Sequence, residues 1–236
     1  MLDYQQLIDL GLSPDLETLT ARAVKAAEAM GFGLVSGVLV QGRFGGANAV
    51  GQSFGNPPAA FGEASRSLDK GMRDPLLGML LARPGHATYS QATYVQAGSV
   101  DMWDLQASFG YRSGLSLSIH QPSHAEVFMI GVDGAALPTQ AGELLRLQAA
   151  LQMIGLHAQS ALQRLMPGGP PPAVELPTEE RQALQIASAT IYARRGNLVE
   201  IKRAGGPRLA SAVRRTGSSS LTGAILRAVE SDQIQR

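Results

Sequence analysis

Asp74 and Pro75 open an apolar run, and an aromatic, Tyr89, follows fifteen positions after the acid. Taken by its residues alone, the acid caps the helix that Pro75 starts: its oxygens accept the first free N–H groups, and proline fits the first helical position. The other groups that could do chemistry are sparse. His86, His120, His124 and His157 include no HExxH spacing and have no acid beside them in a metal pattern. No metal site and no cofactor is therefore expected. His120 and His124 flank a turn and read as surface groups. The run "GRFGGANAVG" (42–51) is rich in glycine but has no following Lys-Ser/Thr and no strand-turn-helix context. It reads as a hairpin turn and not as a phosphate cradle. There is no GxSxG elbow and no cysteine, so neither common nucleophile is provided for. None of this describes an enzyme.

The elements that would position these residues alternate between helix and strand. Ser13-Pro14-Asp15 starts a helix whose Leu16, Leu19, Ala23, Ala26 and Met30 share a face, and Gly31 ends it. "LVSGVLV" (34–40) reads as a strand, with 46–54 as its hairpin partner across Gly45-Gly46. Helices are expected near 58–70, 75–81 and 100–109. Further strands are expected at 88–94, at "GLSLSIH" and at "EVFMIGV", the last two joined by the turn "QPSH". A long amphipathic helix follows over 140–165. The pattern predicts an α+β class: an αβα sandwich with a mostly antiparallel sheet, followed by a small all-α tail.

The run "MPGGPPPAVELP" (166–177) cannot continue a helix. It divides the chain into a first domain of residues 1–166, a linker over 167–177 and a helical domain over 178–236. Charge follows the same division. Residues 1–172 hold ten Lys/Arg against thirteen Asp/Glu, whereas 173–236 hold ten against six. Six of those basic groups form the pairs Arg194-Arg195, Lys202-Arg203 and Arg214-Arg215. A basic end on an otherwise balanced chain suits a polyanion or a solvated helical face. Two short helices about Gly205-Gly206 give the outline of a helix-turn-helix unit. No signal peptide and no run of about 18 apolar residues is present, so a cytoplasmic location without membrane contact is expected.

Several motifs together resemble one family. They are Asp74-Pro75, then Tyr89, then "MWDLQASFGYRSGLSLSIH" (102–120), in which Trp103, Ala107, Gly110, Gly114, Leu115 and Ser116 fall at a family spacing. The tail's "RRTGSSSLTGAILRAVE" resembles the family's last helix entry. The family is that of LuxR-type quorum-sensing regulators, and the resemblance covers most of the chain. It implies an autoinducer-binding sensor that takes an N-acyl-homoserine lactone or a related small molecule. It also implies a helix-turn-helix tail that binds DNA as a dimer. Asp74 would accept the ligand's amide N–H, since a buried donor left unpaired costs about 1–3 kcal/mol. The ligand-binding set implied by the resemblance is Asp74, Phe61, Ser65, Tyr89, Trp103 and Ile130. The DNA-binding set is Arg208, Ser211, Arg214 and Arg215.

The same alignment of motifs shows departures. Phe61 stands where the family has the tryptophan that bonds the ring carbonyl, and Ser65 stands where it has a tyrosine. Tyr89 replaces a second tryptophan, and Ile130 a Ser/Thr. Phenylalanine has no N–H to give. These changes point to a different ligand, a weaker one or none. The tail is shorter than the family's by about two turns of ~3.6 residues. The alternative reading is thus a member with a degenerate tail that blocks an intact regulator by forming a heterodimer with it. An enzyme is the third and least favoured class.

On the 140–165 helix, Leu144, Leu145, Leu147, Leu151, Ile154, Leu162 and Leu165 exceed what one sheet face needs. The expected consequence is a dimer through the surplus. Light scattering at micromolar concentration checks it, and a monomer there contradicts it.

Overall fold

In a computed structural model, the chain is described over residues 3–42, 44, 49–64, 73–121, 126–134, 136–166, 174–192, 198–218 and 220–235. Contacts divide it into two units. One is 15–155, and the other is 3–14 with 156–236. The expected turn at 45–46, residues 122–124 of the expected turn "QPSH", and residues 167–173 of the expected linker lie outside the described residues.

The first unit is built on five antiparallel strands. They are β1 (Leu34–Gln41), β2 (Val50–Gly55), β3 (Gly85–Tyr89), β4 (Ser113–Gln121) and β5 (Glu126–Gly134), in the order β2-β1-β5-β4-β3. The antiparallel sheet and the mixed class expected from the sequence are both observed. In sequence order around the strands come α2 (Leu16–Ala29), α3 (Ala59–Ala64), α4 (Pro75–Ala82), α5 (Gln91–Gln96) and α6 (Val100–Ala107). The second unit contributes α1 (Tyr4–Gly11), so α2 is the first helix here. Helix α7 (Ala141–Leu165) gives 141–155 to this unit and 156–165 to the other.

Strand alternation separates two faces. Phe128, Ile130 and Leu117 point toward α7, because a side chain at Gly155 would come within 3.4 Å of Ile130 Cγ2, 3.6 Å of Phe128 Cε1 and 2.6 Å of Leu117 Cδ2. Together with Val35, Leu39, Leu115 and Val132 these form a core with almost no exposure. At about 25 cal/mol per Å² of apolar area, this face is the main source of stability. The opposite face carries Ser36, Val38, Met129, Gly131, Asp133, Ser116 and Tyr89. The register brings them side by side: Ser36 pairs with Gly131, Val38 with Met129 and Tyr89 with Gly114.

Two local readings need correction. The strand expected at 88–94 ends at Tyr89, and 91–96 is helical. The run Thr-Tyr-Val favours a strand, yet Ser90 begins a helix and Thr93 Oγ1 accepts its backbone N–H at 3.1 Å. Helix α1 was not expected. Asp3 and Gln6 form a reciprocal capping box at its start.

The second unit gathers α1, the end of α7, α8 (Thr178–Tyr192), α9 (Leu198–Arg215) and α10 (Leu221–Glu230). Its core includes Leu176, Leu184, Leu209, Ile225 and Val229. Arg164 joins Glu230 at 3.0 Å and also donates to the Gly11 carbonyl at 2.5 Å. Within α9 the backbone leaves helical geometry at Gly205, so two helices meet there at a kink, as expected about Gly205-Gly206, with Pro207 just beyond it.

Gly55 ends β2 with φ +135, and a Cβ there would strike the Val35 carbonyl oxygen. Only glycine is at ease in such a conformation. Gly55→Ala is expected to destabilise the protein by about 1–3 kcal/mol, read as a lower urea midpoint.

Candidate functional site

Between the polar sheet face and helices α3–α6 lies a cavity of about 560 Å³. Each element supplies its wall for a local reason. Pro75 and the Asp74 cap start α4, and Asp74 Oδ1 accepts the Leu76 N–H at 2.9 Å. That cap turns Leu76, Leu77 and Leu80 onto the cavity. Phe61 of α3 stacks on Tyr111, with ring centroids 4.4 Å apart, and lies 5.6 Å from Phe109. The wall is thus apolar on the helical side and polar on the sheet side.

The polar side is a connected chain of groups. Tyr89 donates to Asp133 Oδ1 at 2.5 Å. Tyr89 and Tyr94 meet edge to face at 6.0 Å. The Tyr94 hydroxyl stands 3.0 Å from Asp74 Oδ1 and 3.1 Å from Gln106 Oε1. One hydroxyl proton serves one acceptor at a time, so a spare acceptor always remains. Gln106 Nε2 is buried and bonds to nothing among the described residues. An unsatisfied buried donor in a cavity wall calls for a partner.

Burial governs the charges. Asp133 is 6% exposed, and desolvation pushes its carboxyl up to about 7, with the Tyr89 hydrogen bond pulling weakly the other way. Burial also raises Asp74, opposed by the Leu76 N–H and the Tyr94 hydroxyl. Tyr89, Tyr94 and Tyr111 are all raised, chiefly by burial, and so stay protonated donors. No Lys, Arg or His is among the described residues that line the cavity.

The six residues expected here divide as follows. Asp74, Phe61 and Tyr89 line the cavity together. Ile130 borders it, but its side chain faces α7, and the cavity face at that point belongs to Gly131 with Ser116. In a strand, adjacent residues face opposite sides, so Gly131 and not Ile130 presents its Cα to the cavity there. Trp103 is not among the lining residues. Its indole Nε1 donates to the Arg112 carbonyl at 3.2 Å, outside the cavity. Ser65 lies outside the described residues. The sequence reading missed Tyr94, Gln106, Tyr111 and Asp133. Asp133 alone left a legible signal: a single acid at the end of the apolar strand "EVFMIGVD". Among the described residues no group of His or acids could hold a metal ion.

The family model for the autoinducer binding domain matches residues 15–162. No curated protein matches the chain. Among solved structures, the fold is similar to that of CepR2 from Burkholderia cenocepacia, described as an N-acylhomoserine lactone dependent LuxR family transcription factor. Identity is 21%, over 66% of this chain and 90% of that one, with a TM-score of 0.57. It is similar also to Escherichia coli SdiA, at 14% identity over 98% of this chain and 97% of that one, with a TM-score of 0.56. A structure of SdiA with octanoyl-rac-glycerol matches at 14% identity over 95% and 92% of the two chains, with a TM-score of 0.56. At these identities the likeness is one of fold.

Asp133 titrates near 3.8 when unfolded and near 7 when folded. The folded chain therefore holds the extra proton between these values, and stability falls as pH rises through that window. Asp133→Asn keeps an acceptor for Tyr89 and removes the charge. Urea unfolding is expected to show a flatter pH dependence for this variant, and greater stability than the parent near about pH 8.

Proposed function

This chain belongs to the autoinducer-binding-domain family, and from that premise we propose a cytoplasmic ligand-sensing regulator whose first unit takes a small amphipathic molecule. The observation that carries this reading is the cavity of about 560 Å³ inside the matched stretch. It is within the range of small-molecule sites, about 300–1,000 Å³, with an apolar lining and a few convergent polar groups. CepR2 depends on an acylhomoserine lactone and SdiA was solved with an octanoyl glycerol. An acyl-bearing ligand here would lay its chain along Leu76, Leu77 and Leu80. Its N–H donor would go to Asp74, whose Oδ1 is already shared between Leu76 and Tyr94, so Oδ2 is the oxygen assigned to the ligand.

The second unit is assigned to DNA, with the chain acting as a dimer whose competent form the ligand favours. Arg214 is exposed, and Arg208 and Arg215 stand on the same arm of α9 beyond the bend, with Ser211 between them. Arg208 pairs with Glu179 at 3.0 Å and Arg215 with Glu180 at 3.2 Å. The exposed Arg208–Glu179 pair contributes about 0–1 kcal/mol, which phosphates can exchange for their own contacts, whereas Glu180 is buried and holds Arg215 from its protein side. The same two pairs favour the second reading. A tail that pairs two of its arginines with its own acids suits a partner that blocks an intact regulator as a heterodimer. Arg194 and Arg195 lie outside the described residues.

Ligand binding is expected to raise the melting temperature with N-octanoyl homoserine lactone, and Leu77→Trp, which fills the cavity, is expected to remove that shift. No shift in the parent protein with this or other acyl compounds contradicts the sensor reading. For DNA, log affinity should fall with log salt at roughly −0.9 per phosphate neutralised, and changing Arg214 and Arg215 to Ala should flatten the slope by about two units. A gel shift at about 50 mM salt with no retardation of any duplex selects the blocking-partner reading.

A further inference from the structure

Asp74 and Asp133 are two carboxyls in one cavity, linked through Tyr94 and Tyr89, and they face no basic side chain among the described residues that line it. Asp133 is the more demanding of the two. Its Oδ1 takes the Tyr89 proton, and its Oδ2 lies 3.7 Å from where a side chain at Gly131 would begin, on the cavity face. Among the described residues no second hydrogen bond to it is formed. A buried carboxylate with one neutral donor is costly, because the lost hydration is not replaced by a counter-charge. Replacing the acid by an apolar residue would relieve that cost, yet the strand keeps an acid at the position where it meets the cavity. The chain also makes room for it. Gly114 is paired directly with Asp133, and a Cβ there would lie 2.6 Å from Tyr89 Cε1 and would strike Asp133 Oδ1.

From this arrangement we propose that the ligand carries a protonated amine which seats against Asp133 Oδ2, with its apolar chain on Leu76, Leu77 and Leu80. The inference rests on the small-molecule reading above and names the head group which that reading leaves open. An ammonium supplies the missing counter-charge and up to three N–H donors. The first goes to Asp133, and the spare Gln106 Oε1 is an acceptor for a second. The Tyr89 hydroxyl remains a donor, so it reinforces the Asp133 carboxylate and does not compete with the amine. A lactone head, which offers acceptors only beyond its amide, finds no such complement at Asp133.

The titratable groups around Asp133 are Tyr89 on β3, Tyr94 on α5, Tyr111 after α6 and, through Tyr94, Asp74 at the start of α4. The three tyrosines stay protonated across the neutral range, so Asp133 governs the pH dependence there. An amine near pKa ~10.4 stays charged over the same range.

Isothermal titration of the full chain with octylamine, octanol and N-octanoyl homoserine lactone tests the proposal. At about pH 8, octylamine should bind at least about tenfold more tightly than octanol, and Asp133→Asn should abolish that advantage without weakening octanol. In the unaltered protein, octylamine affinity should rise from about pH 5.5 to about pH 8 as Asp133 ionises. Equal binding of octylamine and octanol, or an affinity that falls over that pH range, overturns the amine assignment and leaves the sensor reading in place. Failure of all three probes to bind overturns both.

Discussion

A carboxyl buried in the wall of a cavity, with one tyrosine hydroxyl for company, is the constraint on which the first unit turns. Asp133 sits on β5, the central strand of the sheet, between β1 and β4. Its place fixes its neighbours. Gly114 opposite must lack a side chain, Tyr89 on the edge strand must reach across it, and Tyr94 must close over Tyr89. The Asp74 cap then joins the same chain of groups through Tyr94. A line of hydrogen bonds, bridged at one point by the ring contact of Tyr89 with Tyr94, thus ties the sheet to α4, α5 and α6. Networks of this kind favour one arrangement strongly when satisfied, and they leave costly groups when they are not. The spare Gln106 amide and Asp133 Oδ2 are where this one is open.

The division of labour between the two sheet faces follows from strand alternation. The face toward α7 is apolar over its middle and becomes polar only at the end where Gln41, Gln121 and Glu126 come together. The other face alternates small and polar residues, Ser36, Gly131 and Ser116, which leave space where a core would have packed large side chains. Volume left in this way is normally filled, since protein interiors pack like organic crystals. A cavity of this size kept open beside two acids is therefore a feature with a purpose, and it lies within the stretch that matches the autoinducer-binding model.

Much of this was legible in the sequence, and the failures have physical causes. Helix α2, strands β1, β4 and β5, and helix α7 follow from strong periodicity and clear caps. Asp74-Pro75 announced the start of α4, and the resemblance brought Phe61 and Tyr89 to the same place. The spacing of Trp103 matched a family motif, but spacing does not fix which way a side chain turns, and its indole went to the Arg112 carbonyl. Ile130 borders the cavity with its side chain turned toward α7, because neighbours in a strand alternate faces. Tyr94 was hidden because local β-propensity masked a helix start at Ser90. Asp133 was visible as a letter, but its burial depends on the pairing of β5 with β1 and β4, which no local pattern reports. In the tail, charge pointed outward to a polyanion, whereas Glu179 and Glu180 supply acids to Arg208 and Arg215 from within.

The central claim is that Asp133 is a buried acid kept short of a counter-charge at the ligand's position. Carbon-detected NMR titration of the aspartate side-chain carboxyls in the ligand-free protein, with Asp133 assigned from the spectrum of Asp133→Asn, addresses it most directly. One carboxyl resonance titrating near about 7 is expected, absent from the variant. An Asp133 midpoint near the ordinary aspartate value of about 3.9 would contradict it.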